Sequence, residues 1–462
     1  MSWRGVAMRF LVVIFCLALT ACGAPPPVET TTRAAIHVQG ALPAMKRFSV
    51  PRPVAPARSN RDIQRDFLDL SFKLESGRKL PRFTRFEGPI TVRVTGAPQR
   101  TLGPDLTQLI SRLRTEAGIN IRRSNSPDAN ITIQAVSRAE IHRHLPKAAC
   151  FVVPNISRLS DYRKARRRGE TGWGQMQARK KLAIFLPNDA SPQEARDCLH
   201  EELAQAIGPL NDLYRLPDSV FNDDNVHTVL TGFDMLILRV YYSPELRAGM
   251  SRDQVAARLP AILSRLNPAG DHRAPTYPKP TPSSWVKAIQ TALGPNSGER
   301  QRQAAARNAL AIAKTQGWTD HRLGFSHFAL GRVLRVSDPQ NARKHFLAAD
   351  HHYKRAPGTR LHRAYTASQL AAAAILNSDG NRALAYVAPH MATAERHENA
   401  ALLANLMLLR AEALELLGRH DDANDVRLDS LGWARYGFGA GWAVRARQRE
   451  ITVVGGPNAS NG

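Results

Sequence analysis

Hydrophobic and polar positions alternate in short blocks along the first half of this chain and recur at helical spacing along the second. Pro89-Ile90-Thr91-Val92-Arg93-Val94 alternates as a strand does. From Leu102 to Ala117, the residues Leu106, Leu109, Ile110 and Leu113 share one helical face. Alternation returns at Ile119-Asn120-Ile121 and at Asn130–Ala135, and the apolar runs Cys150–Val153 and Leu182–Leu186 read as two more strands. Ser191-Pro192-Gln193-Glu194 then opens a helix. Ser191 suits the N-cap, Pro192 the first helical position, and Glu194 completes a capping box. The order strand–helix–strand–strand–strand–helix predicts an α+β domain.

Past a Pro-rich stretch at 267–284, residues 285–440 carry an almost unbroken helical pattern rich in Ala and Leu. Apolar helices are predicted over His327–Leu334, Leu370–Leu376 and Leu406–Leu417. Each is followed by a second helix, starting at Pro339-Gln340-Asn341-Ala342, at Gly380-Asn381-Arg382-Ala383 and at Asp421-Asp422-Ala423. This spacing resembles divergent tetratricopeptide-type helical pairs without their Trp and Tyr landmarks; an irregular bundle is the alternative.

The N-terminus changes the picture of where the fold begins. Arg4 and Arg9 precede a short apolar run, Phe10–Leu19, which is short for a membrane span. It ends in Leu19-Thr20-Ala21-Cys22-Gly23, which resembles a bacterial lipobox. That resemblance implies a signal peptide at 1–21, a lipid on Cys22, and retention at the periplasmic side of the outer membrane. Pro25-Pro26-Pro27 and a Thr run then suggest a disordered tether over 22–60. The first folded domain is expected at 61–266, a linker at 267–284, the helical repeats at 285–440 and a loose tail at 441–462. With Cys16 in the signal and Cys22 lipidated, Cys150 and Cys198 are a candidate disulfide, or else two buried thiols.

The 462 residues are 43% hydrophobic and 22% charged, ordinary for a globular protein, yet the formal charge is +25. Such a surface attracts anions. No helix-turn-helix, zinc-finger or RNA-binding signature is present, so no specific nucleic acid is expected. Acidic envelope polymers are one class of partner; an Arg-rich composition alone would give the same charge. The runs Arg163–Arg168 and Arg179-Lys180-Lys181 read as solvated loop.

The predicted helix beyond Ser191 carries the candidate chemistry. On a wheel, Leu199, Leu203, Ala206 and Leu210 form one stripe, with Glu201, Gln205 and Gly208 opposite, facing a cleft or solvent. The run Glu201-Glu202-Leu203-Ala204-Gln205-Ala206-Ile207-Gly208-Pro209-Leu210-Asn211-Asp212 resembles the zinc helix of a metzincin peptidase. That resemblance puts Glu201, Gln205 and Asn211 at the three ligand positions and Glu202 at the general base. The imidazoles that grip zinc are missing. His200 cannot serve in an i, i+4 pair, because the residue four on is Ala204; it is expected to be hydrogen-bonded beside the packed stripe. In Asp218-Ser219-Val220-Phe221-Asn222-Asp223, Phe221 stands where the resemblance would put the Met of a Met-turn. Together with Tyr242-Ser243-Pro244-Glu245-Leu246-Arg247-Ala248-Gly249-Met250, these segments are similar to the DUF2927 family of proteobacterial lipoproteins. The resemblance spans roughly residues 61–266 and brings no established activity.

The expected architecture is therefore an α+β zincin-like domain followed by an all-α helical-repeat domain. Glu201, Gln205, Asn211 and Asp212 would offer only oxygen. No cofactor is expected, and a divalent cation is the one candidate such donors would suit. The competing reading pairs Gln205 with Glu201 across one turn and uses Asn211-Asp212 to cap the exit loop. The function expected is binding or scaffolding rather than catalysis, with a membrane contact through the lipid and a protein or envelope-component partner through the helices. The alternative is a metal-dependent periplasmic hydrolase using Glu202 as base.

Overall fold

The computed structural model describes residues 42–48, 54–295 and 297–455. Cys22 and the signal segment lie outside the described residues. The sheet is built from β1 (Ile90–Gly96), β2 (Ile121–Arg123), β3 (Ile131–Val136), β4 (Phe151–Pro154) and β5 (Leu182–Pro187), in the order β2-β1-β3-β5-β4. All neighbours are parallel except β4, which runs antiparallel to β5 at the edge. Val94 stands opposite Ile133, and Ile133 opposite Ile184.

Helices cover both faces of this sheet. Those of the first region are α1 (Asn60–Ser71), α2 (Leu102–Glu116), α3 (Arg138–His144), α4 (Tyr162–Arg167), α5 (Pro192–Ile207), α6 (Gly232–Tyr241) and α7 (Arg252–Leu266). Ile131, Ile133, Leu182 and Ile184 pack with Leu106, Leu109 and Leu199 of α2 and α5. Ala183 and Phe185 pack on the other side with Ile141 of α3 and Tyr162 of α4. This double covering explains why β5 is buried at every position and reads as a continuous apolar run.

The helical region comprises α8 (Ser283–Leu293), α9 (Glu299–Thr315), α10 (His321–Leu334), α11 (Pro339–Arg355), α12 (Arg360–Leu376), α13 (Gly380–Val387), α14 (Met391–Arg396), α15 (Ala400–Leu416), α16 (His420–Phe438) and α17 (Gly441–Gly455). Sequential helices pack as pairs: α8 with α9, α10 with α11, α12 with α13, α15 with α16. The second members of three pairs begin where Pro339, Gly380 and Asp421 predict. Asp338 and Asp379 cap two of them. The pair α8/α9 had no predicted counterpart.

Three expectations about flexible segments are corrected. Residues 42–48, expected within a loose tether, lie on α16: Lys46 N–H donates to Gly432 O and Phe48 stacks on Trp433. The stretch 267–284 is strapped to α1, because Asn60 bonds Asn267 and the backbone N–H groups of Thr276 and Tyr277 donate to Asp62. The expected tail from 441 is largely helix α17. Local polarity suggested loops at these places, but tertiary partners order them. Among the described residues, no helix is long and apolar enough to cross a membrane.

The helical region is seated on the loop that follows α5. That loop sends Tyr214 into the core of α8–α11 and Val226 into the core of α12–α17. His321 donates to Tyr214 O at 2.7 Å, and His362 Nε2 meets Asp224 at 2.9 Å. Helix α5 itself is engaged near its start: Gln193 bonds Asn399, and Arg196 forms a buried ion pair with Glu398 at 3.1 Å.

Candidate functional site: the carboxyl groups around helix α5

Helix α5 starts as its sequence dictates. Ser191 caps it by accepting from Glu194 N–H. The second half of the predicted capping box does not form, because the Glu194 carboxylate pairs with Arg138 at 2.6 Å. The helix stops at Gly208, where a Cβ would meet Leu238 Cδ2 at 2.5 Å, so a larger residue would push the Leu238 side chain of α6 aside. The orphan carbonyls at this end are taken by Arg179, which is only 2% exposed. Its guanidinium donates to Gln205 O, Ala206 O and Gly208 O at 2.7, 2.8 and 2.5 Å. Arg179 was read as part of a solvated basic loop; it is a buried C-terminal cap.

The apolar stripe of α5 is packed as the wheel predicts, with Leu199, Leu203 and Ala206 fully buried. His200 is buried beside it and accepts from Leu230 N–H at Nδ1, 3.2 Å away. Burial and then the charges of Arg196 and Arg112 drive its pKa well down, so it is a neutral, bonded imidazole.

The opposite stripe is more enclosed than its polarity suggests. Gln205 is buried, Glu201 half-buried, and Glu202 only 5% exposed. Burial first, then Glu75, Asp223 and Asp197, push Glu201 up to about 7. Burial, then Glu201 and Glu75, push Glu202 well above the usual carboxyl range. Asp212 is raised in the same way, by burial and then by Glu75, Glu201, Asp223 and Glu202. Glu202 Oε2 and Asp212 Oδ1 have no hydrogen-bond partner among the described residues. In a chain of strong positive charge, these acidic groups share one place and repel one another.

Of the predicted site residues, Glu201, Glu202 and Asp212 are thus brought together. Gln205 does not bond Glu201; its amide points to Glu75 Oε1 at 3.5 Å. Asn211 caps nothing in its own loop and donates instead to Asp69 O, at the end of α1, at 3.0 Å. Sequence reasoning missed Glu75, which sits on an exposed turn between α1 and β1 and carries no local signal. It also gave no role to Asp223, which was legible only as part of the family-like run. Phe221 is fully buried, and the segment carrying it is pinned by Asp234, which accepts from Ser219 Oγ and Val220 N–H. Cys150 and Cys198 form a disulfide that ties the start of β4 to α5.

The donors that α5 and its exit loop present to this site are carboxyl and amide groups, a set that does not suit zinc. Among the described residues, no group of three or more His, Cys, Asp or Glu side chains is placed to hold a metal ion.

An acid whose folded-state pKa is raised keeps its proton when the unfolded chain has already lost it. Its contribution to stability is therefore fully present below the unfolded value, near 4.5, and declines as pH rises towards the folded value. Glu202→Gln removes that decline. The variant is expected to unfold at higher urea than the parent at pH 8, by roughly 1–3 kcal/mol, and to match it at pH 4. A loss of stability at pH 8 would show that the Glu202 carboxylate has a favourable partner.

A domain with a mostly parallel mixed sheet covered by helices on both faces, an α/β layering rather than the expected α+β, whose helix α5 carries a buried, mutually repelling set of carboxyls, is the class that the fold and site define. Residues 60–261 match the family model described as protein of unknown function (DUF2927), which supports the resemblance drawn from the sequence. No curated protein and no solved structure matches the chain.

Proposed function

We propose that this chain is a non-catalytic binding and scaffold lipoprotein of the bacterial envelope. A peptidase-type frame is kept in its first domain, and an array of helical pairs is docked on the loop beyond α5. The observation that carries this reading is the state of Glu202. The residue at the general-base position is buried, and burial, then Glu201 and Glu75, raise its carboxyl well above the usual range, which favours the protonated form over the carboxylate that a base requires. Three features support descent from a zincin-like frame: the mixed sheet ahead of α5, the helix break at Gly208, and the buried Phe221 beneath it. The lipid on Cys22 would hold the protein at the periplasmic side of the outer membrane. The outer surfaces of α8–α17 would meet a protein or envelope component.

The rival reading is a metal-dependent hydrolase with oxygen ligands. The orphaned oxygens of Glu202 and Asp212 are the observation in its favour. Metal analysis of the purified full chain, combined with a peptidase assay, separates the two. The binding reading expects no stoichiometric metal and no cleavage that Glu202→Gln abolishes. A stoichiometric metal lost in Glu201→Ala, together with cleavage lost in Glu202→Gln, would overturn it.

A further inference from the structure

A cavity of about 320 Å³ lies where the segment before α1, helix α2, the loop leading into α6, the start of α12 and the end of α14 meet. That volume is at the lower end of the range for small-molecule sites. Its wall is of two kinds. Val229, Leu230 and Phe233 give an apolar floor, and four arginines, Arg58, Arg112, Arg360 and Arg396, surround it.

The wall has more positive charge than its own carboxylates neutralise. Asp218 is held by Arg58, and Glu398 is held by Arg196, which is not part of the wall. Arg360 and Arg396 are exposed and form no ion pair among the described residues. Arg112 is 4% exposed and rigidly set. Its Nε and Nη2 donate to Glu116 at 2.7 and 3.0 Å, and Nη2 also donates to Leu230 O. Its Nη1 is buried without a partner, and so is Nε2 of His227, which is 8% exposed. Both residues line the cavity. Arg58 Nη1 and Glu398 Oε1, from two more residues of the wall, are buried without a hydrogen-bond partner as well. Such groups are few in native proteins, and their concentration around one cavity, nitrogens outnumbering oxygens, points to a polar ligand.

We propose that this cavity binds a small molecule bearing an oxyanion, a carboxylate or a phosphate monoester, on a compact apolar body. The oxyanion lies on the side of the wall formed by Arg112 and His227. The apolar body rests on Leu230 and Phe233, and Arg360 and Arg396 attract the charge from the solvent side. Planar guanidinium groups suit either oxyanion. The site is separate from the carboxyls of α5, so the proposal goes beyond the binding role above, and its test is independent of the metal and peptidase assays.

Isothermal titration calorimetry on the full chain tests it with four probes: phenyl phosphate, benzoate, inorganic phosphate and benzyl alcohol. At least one of the first two is expected to bind at a single site, tenfold or more tighter than both inorganic phosphate and benzyl alcohol. Which of the two binds identifies the oxyanion. Arg360→Gln combined with Arg396→Gln, both at exposed positions, is expected to weaken that binding about tenfold with an unchanged melting temperature. Arg112→Gln is expected to weaken it further, and circular dichroism reports whether that buried variant still folds. No binding of phenyl phosphate or benzoate by the folded chain would overturn the proposal. So would binding that the double surface variant leaves unchanged, or binding no tighter than that of inorganic phosphate.

Discussion

Arg179→Ala is expected to lower the free energy of unfolding by about 3–5 kcal/mol, read as a shift of the urea midpoint followed by far-ultraviolet circular dichroism. Two losses add. The last carbonyls of α5 lose donors in a place that water does not reach, and each unsatisfied buried acceptor costs roughly 1–3 kcal/mol. The side chain also leaves a hole against Trp173 and Tyr241, whose rings lie 5.5 and 5.7 Å from the guanidinium. The opposing effect is the release of a buried cation that has no carboxylate within ion-pair distance among the described residues. It is the smaller one, because the negative end of the helix dipole and the aromatic faces already stabilise that charge.

Arg179→Met separates the contributions. It refills most of the volume but donates nothing, so it is expected to recover only the packing share and remain about 2 kcal/mol below the parent. If Met restored full stability, the carbonyls of Gln205, Ala206 and Gly208 would need no cap, and Arg179 would be a space-filling residue. The consequence reaches the candidate site. The turn beyond Gly208 carries Asn211 and Asp212, and the carboxyl of Asp212 is held against Glu201 and Glu202 by where that turn leaves the helix. Loosening the turn should let these acids separate and become hydrated, so the decline of stability above pH 4.5 should flatten in Arg179→Ala.

What could be read in the sequence was what local periodicity and caps encode. The five strands follow from alternation and short apolar runs, with β2 displaced to Ile121–Arg123 from the Ile119–Ile121 alternation. The start of α5 follows from Ser191 and Pro192, and α11 follows from Asp338 and Pro339, because these residues act on their own backbone. What could not be read depends on residues far away in the chain. Arg179 looks like its basic neighbours Lys180 and Lys181, yet it alone is turned inwards, onto a helix end that reaches it only in the fold. Glu75 is one charge on a short turn, and nothing within ten residues says that it faces Glu201. The polar stripe of α5 seemed to face a cleft because a wheel shows polarity and not enclosure. Glu202 illustrates the difference: it flanks the polar stripe on the wheel, yet it is buried and its carboxyl is held well above the usual range.

Removing the Cys150–Cys198 bridge is the other change with a large expected effect. The cysteines are 48 residues apart, and closing a loop of that length restricts the unfolded chain by about 4 kcal/mol. In the folded chain the bridge joins β4, a four-residue edge strand paired only with β5, to the helix that carries Glu201 and Glu202. So short an edge strand has few other restraints, and its ladder should open first. Cys150→Ala with Cys198→Ala, or the parent under dithiothreitol, is therefore expected to lose about 4 kcal/mol in urea unfolding. Amide exchange should rise most in 151–154 and in the partner segment of β5. An unchanged unfolding free energy under reductant would mean that the two sulfurs do not constrain the chain. The same experiment bears on where the protein works. A chain that depends on this bridge reaches full stability only in an oxidising compartment, which is where a lipid on Cys22 would place it.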